Sequence, residues 1–208
     1  MPHVQRQVLE AGVAQVRDAP NDAGTVELIV RRPAEGQREL LDEAELDVVE
    51  GLVGDNWRTR GSRATKDGSA HPDLQLTLTN ARAIALVAQT RERWALAGDQ
   101  LYVDLDLSET NLPAGTRLQV GSAVIEVTAI PHTGCGKFGR RFGLDALKFI
   151  SSPVGRELNL RGRNARIVAS GTVRLGDTLR KVPGPPDAGR SVGSGSAQRG
   201  GLHKESPV

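Results

Sequence analysis

The chain has 208 residues, 38% of them hydrophobic, and a formal net charge of +2. This composition excludes wholesale disorder, and the longest apolar run, residues 83–88, is too short to cross a bilayer. The first twenty residues lack an apolar block and the chain holds one cysteine, so we expect no secretory signal, no internal disulfide and a cytoplasmic location.

In chain order, the first part of the sequence predicts a helix, three strands and a long loop. The helix covers residues 9–16, where apolar side chains recur at helical spacing, and would end at Pro20. Alternating segments predict strands at residues 25–32, 38–41 and 45–49. The third strand leads into the glycine-rich segment 51–55. The polar residues 56–73 would form a loop of a length that is usually functional or disordered.

The rest of the sequence predicts five more strands and two helices. The strands are expected at residues 75–79, 101–105, 117–120, 123–130 and 166–175. Asn80 is a suitable N-cap for a helix that would run to about residue 95 and stop at Gly98. Residues 136–150 predict a helix in their second half.

This order of elements predicts a mainly β protein with a few helices. Many short strands with two or three interposed helices indicate a closed, mostly antiparallel β-barrel. We expect one domain over residues 1–182. Residues 183–208 are rich in glycine, serine and proline and therefore predict a flexible tail.

Charge is distributed unevenly along the chain. Residues 1–55 hold five basic and twelve acidic side chains, whereas residues 132–166 hold eight basic and two acidic ones. Clustered charge of one sign repels itself, so the basic segment suggests an anionic ligand. Alternatively, it is a solvated helix face balanced by the acidic N-terminal third.

The segment around the single cysteine is the most informative part of the sequence. Cys135 lies between two glycines, after a predicted strand and before a predicted helix. Glycines there would expose the sulfur and let a ligand approach. Neighbouring side chains that would favour the thiolate are His132, Lys137, Arg140 and Arg141. The alternative is a buried, inert cysteine that packs as a small hydrophobic residue.

Other kinds of site fit this segment less well. Residues 131–138 lack the first glycine and the final serine or threonine of a phosphate loop. A closed zinc site needs four ligands, and His71 is the one further candidate beside His132 and Cys135. His132 is either a base for Cys135 or a capping residue. Aromatic residues make up 3% of the chain, too few for a platform that stacks single-stranded nucleic acid.

Several motifs together resemble the molybdenum-cofactor-sulfurase C-terminal (MOSC) domain family over residues 25–178. They are GLVGD at 51–55, QLTL at 75–78 before a helix, AG at 97–98, GSAVIEVT at 121–128, then His132 and Cys135. The resemblance implies a β-barrel with one essential cysteine, which corresponds to Cys135. Family members are proposed to carry sulfur as a persulfide for metal–sulfur cofactor assembly. Some bind a molybdenum cofactor through the cysteine and reduce N-hydroxylated compounds.

The resemblance also implies roles for the residues around Cys135. Its sulfur would carry sulfur or ligate molybdenum, and a basic cluster would hold the pterin phosphate or another anion. That cluster consists of Lys137, Arg140 and Arg141. The mouth of the site would be lined by Asp55, Arg58 and His71. Pyridoxal phosphate is not expected in this chain, so sulfur would come from a separate cysteine desulfurase.

Two other functions remain open at this point. The first is a molybdenum-dependent oxidoreductase that reduces N-hydroxylated compounds. The second is a non-catalytic module that binds an anion or a nucleic acid through residues 132–166. No membrane partner is expected.

Overall fold

A computed structural model describes residues 3–184, which contain eleven strands and seven α-helices. The strands are β1 (Ala23–Arg31), β2 (Glu39–Leu41), β3 (Glu43–Asp47), β4 (Gly51–Leu52), β5 (Leu76–Asn80), β6 (Leu101–Asp104), β7 (Arg117–Val120), β8 (Ala123–Pro131), β9 (Arg163–Ala169), β10 (Gly171–Arg174) and β11 (Thr178–Val182). The α-helices are α1 (Arg6–Ala11), α2 (Val13–Arg17), α3 (Trp57–Arg60), α4 (Ala81–Ala88), α5 (Gly136–Phe142), α6 (Leu144–Ile150) and α7 (Pro153–Glu157). Short 3₁₀-helices cover Pro72–Leu74 and Arg91–Ala97.

Seven of the strands close into a barrel. Their order around the barrel is β1, β11, β7, β8, β9, β5 and β6, and β6 pairs again with β1. Neighbouring strands are antiparallel, except that β5 and β6 run parallel with Leu78 opposite Leu101. The prediction of a closed, mostly antiparallel β-barrel with helices is therefore confirmed.

The alternation of apolar side chains along the strands explains why they form a barrel. In β8, Ala123, Ile125 and Val127 are buried, whereas Val124 and Glu126 between them are partly exposed. The buried side chains belong to an apolar cluster that lies inside the barrel. A second cluster joins the helices to β1 and β6. Each strand thus buries its apolar face, which is the main favourable term in folding.

The C-terminal part of the barrel differs from the predicted single strand over residues 166–175. The chain forms β9 and then β10, and β10 belongs to a separate three-stranded sheet of order β10-β3-β4. Gly171 permits this change of sheet, because a Cβ there would lie 2.5 Å from the Ala123 nitrogen. The barrel is closed by β11, which the sequence analysis did not predict.

The predicted helix from Asn80 to about residue 95 is divided in two. Asn80 is its N-cap, since its side chain accepts a hydrogen bond from the Ala83 nitrogen at 2.9 Å. However, α4 ends at Ala88, and Gln89 adopts a φ of 67° that interrupts the helix. The following 3₁₀-helix stops at Gly98, as predicted, with a φ of 90°.

Glycines divide two further helical segments. Helices occupy both halves of residues 136–150 rather than the second half, and Gly143 separates them with a φ of 92°. Gly12 separates α1 from α2, where a Cβ would lie 2.5 Å from a side chain of α4. The predicted loop 56–73 contains α3, whose Trp57 is buried and anchors the segment.

Two predictions concern the whole chain, but the structure bears on them only within residues 3–184. Within residues 3–184, no helix combines the length and the apolar character that crossing a membrane requires. The predicted tail, residues 183–208, lies outside the described residues from residue 185 onward. The domain boundary at residue 182 stays a prediction.

Candidate functional site

Cys135 lies at the junction of β8 and α5, on the wall of a cavity of about 970 Å³. It is the N-cap residue of α5 and has an extended backbone, but its side chain makes no capping hydrogen bond. The residue is exposed. This excludes the alternative of a buried, inert cysteine and leaves the sulfur accessible to a reaction partner.

The two glycines beside Cys135 have different roles. A Cβ on Gly134 would lie 2.7 Å from the Leu147 side chain, so the glycine allows this segment to pack against α6. A Cβ on Gly136 would meet a neighbouring side chain at an ordinary 3.6 Å. The backbone next to the sulfur is therefore held tightly on one side and is open on the other.

The wall of this cavity is strongly cationic. Seven lining side chains are basic: Arg32, Arg38, Arg60, Lys137, Arg140, Arg141 and Arg161. Among the lining residues in the described part of the chain, one carries a carboxylate, Glu35, which accepts a hydrogen bond from Lys137 Nζ at 2.5 Å. Lys137, predicted to hold an anion, thus forms an exposed ion pair with Glu35.

Four of these arginines are held by consecutive main-chain carbonyls, at residues 95–98. The pairs are Arg38 with Ala95, Arg141 with Leu96, Arg161 with Ala97 and Arg32 with Gly98, with donor–oxygen distances of 3.2, 2.6, 3.1 and 2.7 Å. Three of these carbonyls belong to the last turn of the 3₁₀-helix and the fourth to the residue after it, Gly98, whose N–H also donates to the Ala95 oxygen. Carbonyl oxygens at the C-terminal end of a helix are free to accept hydrogen bonds from side chains. The end of this helix therefore gathers guanidinium groups from distant parts of the chain at the cavity.

Two of the arginines are neutralised by buried carboxylates. Arg32 makes a two-point interaction with Asp55, at 2.8 and 2.9 Å. Arg161 donates to Asp99 at 2.6 Å. The carboxylates of both pairs are fully buried, which makes each pair part of the folded framework rather than a ligand contact.

The other four arginines of the wall have no carboxylate within 4.0 Å among residues 3–184. They are Arg38, Arg60, Arg140 and Arg141. Burial, with the nearby charges of Arg141 and Arg32, lowers the pKa of Arg38. Burial and the charge of Arg32 likewise lower the pKa of Arg60. Both pKa values fall mainly because burial disfavours the charged guanidinium, and the neighbouring arginines add a smaller effect. A partly buried positive charge without a carboxylate partner suits this wall to an anion.

His132 lies beside the buried Asp99 and lines the same cavity as Cys135. Its Nε2 atom is 3.6 Å from Asp99 Oδ1, and its side chain is 16% exposed. Burial and the charge of Arg161 outweigh the opposing effect of Asp99 and lower the pKa of His132 to about 4. The imidazole is therefore neutral at pH 7.

The buried Asp99 stays ionised beside this histidine. Burial raises the pKa of Asp99, but Arg161 and His132 outweigh that effect and hold it below its usual range. Neither Oδ1 of Asp99 nor Nδ1 of His132 has a hydrogen-bond partner in the described part of the chain. Nε2 faces the Asp99 carboxylate at a distance longer than a hydrogen bond, and Nδ1 is a buried ring nitrogen without a partner in that part of the chain.

The residues predicted to line the mouth lie elsewhere. Asp55 is buried under Arg32 and also accepts a hydrogen bond from the Trp57 nitrogen. Arg58 pairs with Glu50, and His71 accepts a hydrogen bond from the Asp73 nitrogen at 3.1 Å. None of the three lines the cavity. The loop contributes other side chains instead: Asn56, Thr59 and Arg60.

The structure also adds residues that sequence reasoning missed. Arg38 and Arg60 lie in polar segments without a motif, so their place at the cavity follows from the fold alone. Asp99 and Arg161 are separated by 62 residues in sequence and meet behind His132. Within residues 3–184 no three histidine, cysteine, aspartate or glutamate side chains lie close enough to hold a metal ion.

Comparison with known proteins agrees with this fold. The family model of the MOSC domain matches residues 65–180. YuaD from Bacillus subtilis is 15% identical, with 76% of this chain and 94% of that chain covered and a TM-score of 0.57. YiiM from Escherichia coli is 22% identical, with 78% and 72% covered and a TM-score of 0.51. At these identities the two structures support the fold alone. A search of curated proteins found no match.

Proposed function

The chain belongs to the MOSC domain family, and we propose that it carries sulfur on Cys135 for the assembly of a metal–sulfur cofactor and binds the molybdenum cofactor in the same cavity. One observation carries the proposal: the exposed Cys135 shares a cavity wall with four arginines that have no carboxylate partner in the described chain. An accessible thiol and an anion-binding wall are the two features that such a carrier needs.

Sulfur loading on Cys135 requires a donor persulfide and no oxidant. The thiolate of Cys135 attacks the outer sulfur of the donor, and a new S–S bond forms while the S–S bond of the donor breaks. The electron pair of the broken bond leaves with the donor as a thiolate. The proton lost by Cys135 ends on that thiolate, directly or through water. The resulting persulfide is exposed to the cavity, where a nucleophilic acceptor can attack its outer sulfur, so that the S–S bond breaks and Cys135 leaves as a thiolate. Where the acceptor is the metal of the cofactor, two electrons from a separate reductant would convert this sulfur to sulfide.

The geometry supports a positioning role for His132 more than proton abstraction. An imidazole whose pKa is about 4 is a weak base for a thiol. Its ring instead forms part of the cavity wall next to the buried Asp99 carboxylate. The charge of Asp99 faces Nε2 and favours this orientation of the ring. Catalysis by His132 as a base stays a prediction.

The cavity fits an anionic pterin cofactor in size and in charge. A volume of about 970 Å³ lies at the upper end of the usual range for small-molecule sites. Guanidinium groups suit phosphate because they offer paired donors in a fixed plane. The residues that would hold the phosphate are Arg38, Arg60, Arg140 and Arg141, and Cys135 would ligate molybdenum. When bound, the cofactor supplies a metal centre that takes up sulfur.

Intact-mass measurement tests this proposal. The protein is incubated with a cysteine desulfurase and L-cysteine, with and without a phosphorylated pterin. We expect the mass of one added sulfur atom on the wild type, none on Cys135→Ser, and slower loading when the pterin covers the cavity. Arg140→Gln should relieve that slowing, whereas Arg58→Gln, outside the cavity, should not. Loading that is absent, or that the pterin does not affect, would contradict the proposal.

A further inference from the structure

A second cavity, of about 410 Å³, lies next to the first. The residues that line both are Ile130, Pro131, His132, Thr133 and Arg161. They form a wall between the two cavities, built from the end of β8, the two residues that follow it and Arg161 before β9. Cys135 lines the larger cavity and not the smaller one. A ligand in the smaller cavity would therefore meet other side chains than the thiol.

The lining of the second cavity combines apolar and cationic side chains. Its apolar members are Ala129, Ile130, Pro131 and Ile150, and its cations are Arg156, Arg161 and Arg163. The Arg163 side chain, on β9, is 9% exposed. Its Nε atom is buried and lacks a hydrogen-bond partner within residues 3–184. A buried guanidinium with an unused donor is costly unless a ligand can satisfy it.

Arg163 is paired with a carboxylate that can leave easily. Glu109, on the loop between β6 and β7, accepts a hydrogen bond from Arg163 and is 62% exposed. An exposed carboxylate loses little when it returns to water, because surface ion pairs are weak. The guanidinium, in contrast, stays in the cavity wall and still needs an anion. The Glu109 carboxylate thus occupies the position on Arg163 where the anionic group of a ligand would bind.

We propose that the second cavity binds a small organic anion, a monocarboxylate with an apolar body, whose carboxylate replaces Glu109 on Arg163. The apolar body would pack against Ile130 and Ile150. The volume of about 410 Å³ is in the range of small-molecule sites. This site is independent of sulfur transfer on Cys135, and neither proposal requires the other.

A titration with sodium benzoate, followed by calorimetry and by amide NMR shifts, tests the site. We expect binding to the wild type with shifts at Gly134 and Gly155, which line the second cavity only. Benzamide, which has the same shape without the charge, should bind far more weakly. Glu109→Gln should bind benzoate up to about fivefold more tightly, because it removes the competing ion pair.

Two further variants separate this site from the larger cavity. Arg163→Met should weaken benzoate binding roughly tenfold to a hundredfold, the effect of one lost charge-assisted hydrogen bond. Ala129→Trp should abolish it by filling the second cavity, at a strand position where tryptophan is well tolerated. Thermal unfolding of both variants checks that they are folded.

The proposal would be overturned by any of three results. The first is that benzoate binds neither the wild type nor Glu109→Gln up to its solubility limit. The second is that benzoate shifts Gly36 and Gly98, which line the larger cavity, and binds Ala129→Trp as it binds the wild type. The third is weaker benzoate binding to Glu109→Gln than to the wild type, since Glu109 would then support the ligand instead of competing with it.

Discussion

Mild acid should destabilise the protein through His132. The folded chain holds the pKa of this imidazole at about 4, below its ordinary value of 6.5. Between those two values the unfolded chain binds a proton that the folded chain does not, so stability rises with pH in that window. The contribution is therefore intact above pH 6.5 and is lost progressively as the pH falls toward 4.

The size of this effect follows from the two pKa values. Between pH 7 and pH 5 the free energy of unfolding should fall by about 2 kcal/mol, and by about 3 kcal/mol once the pH is below 4. Urea unfolding at pH 7, 6 and 5 measures the change. His132→Gln keeps a donor toward Asp99 but cannot titrate, so its stability should depend less on pH in this range.

The difference between wild type and His132→Gln isolates the histidine, because other titrating groups contribute to both. Carboxylates with lowered pKa values, such as Asp99, lose their stabilising effect at lower pH than this window. If the two proteins lost stability equally between pH 7 and pH 5, His132 would titrate as a solvated residue. The strong lowering of the His132 pKa by burial would then be wrong.

Three further substitutions distinguish residues that contact a ligand from residues that stabilise the fold. Arg140→Gln should weaken binding of a phosphorylated pterin by about 1.5–3 kcal/mol in calorimetry, and the affinity of the wild type should fall as salt rises. The control Arg58→Gln should bind as the wild type does. If Arg140→Gln bound the pterin as tightly as the wild type, the arginines of the cavity wall would be solvated surface residues. Asp55→Ala should lower the free energy of unfolding in urea by about 3–5 kcal/mol, because it leaves Arg32 buried without its partner. A change near zero would mean that Asp55 is not part of the folded framework and would favour the role in ligand binding predicted from the sequence. Cys135→Ser should change stability by less than about 0.5 kcal/mol, since the residue is exposed, and a large loss would mean that the sulfur packs in the fold.

The strands and the cysteine segment were predictable because their signals are local. Alternation marks β8 within one residue of its observed end at Pro131, and glycines on both sides distinguish Cys135 from a core cysteine. The break of α4 was not predictable, because Gln89 adopts a positive φ that its residue type does not favour. The strand β11 was missed because its burial pattern is mostly exposed and its pairing depends on β1 and β7.

The cationic wall was only partly predictable, because it is assembled by the fold. Arg140 and Arg141 belong to the basic segment 132–166, whose charge is visible in the sequence. Arg38 comes from the acidic N-terminal third, where its charge is outnumbered. What brings it to the cavity is a carbonyl at the end of a 3₁₀-helix, at Ala95. No local pattern encodes such a contact between residues 57 positions apart.

Transfer of sulfur from Cys135 to the molybdenum cofactor is the most direct measurement of the proposed function. Wild-type protein is loaded with radiolabelled sulfur by a cysteine desulfurase, freed from the donor and mixed with the chemically reduced cofactor, which supplies the two electrons that convert the outer sulfur to sulfide. We expect the label to move from the protein to the cofactor in the wild type, to load but move slowly in Arg140→Gln, and not to load on Cys135→Ser. A label that loads on Cys135 and stays there, or that reaches the cofactor equally well from Cys135→Ser, would contradict a sulfur carrier in this cavity.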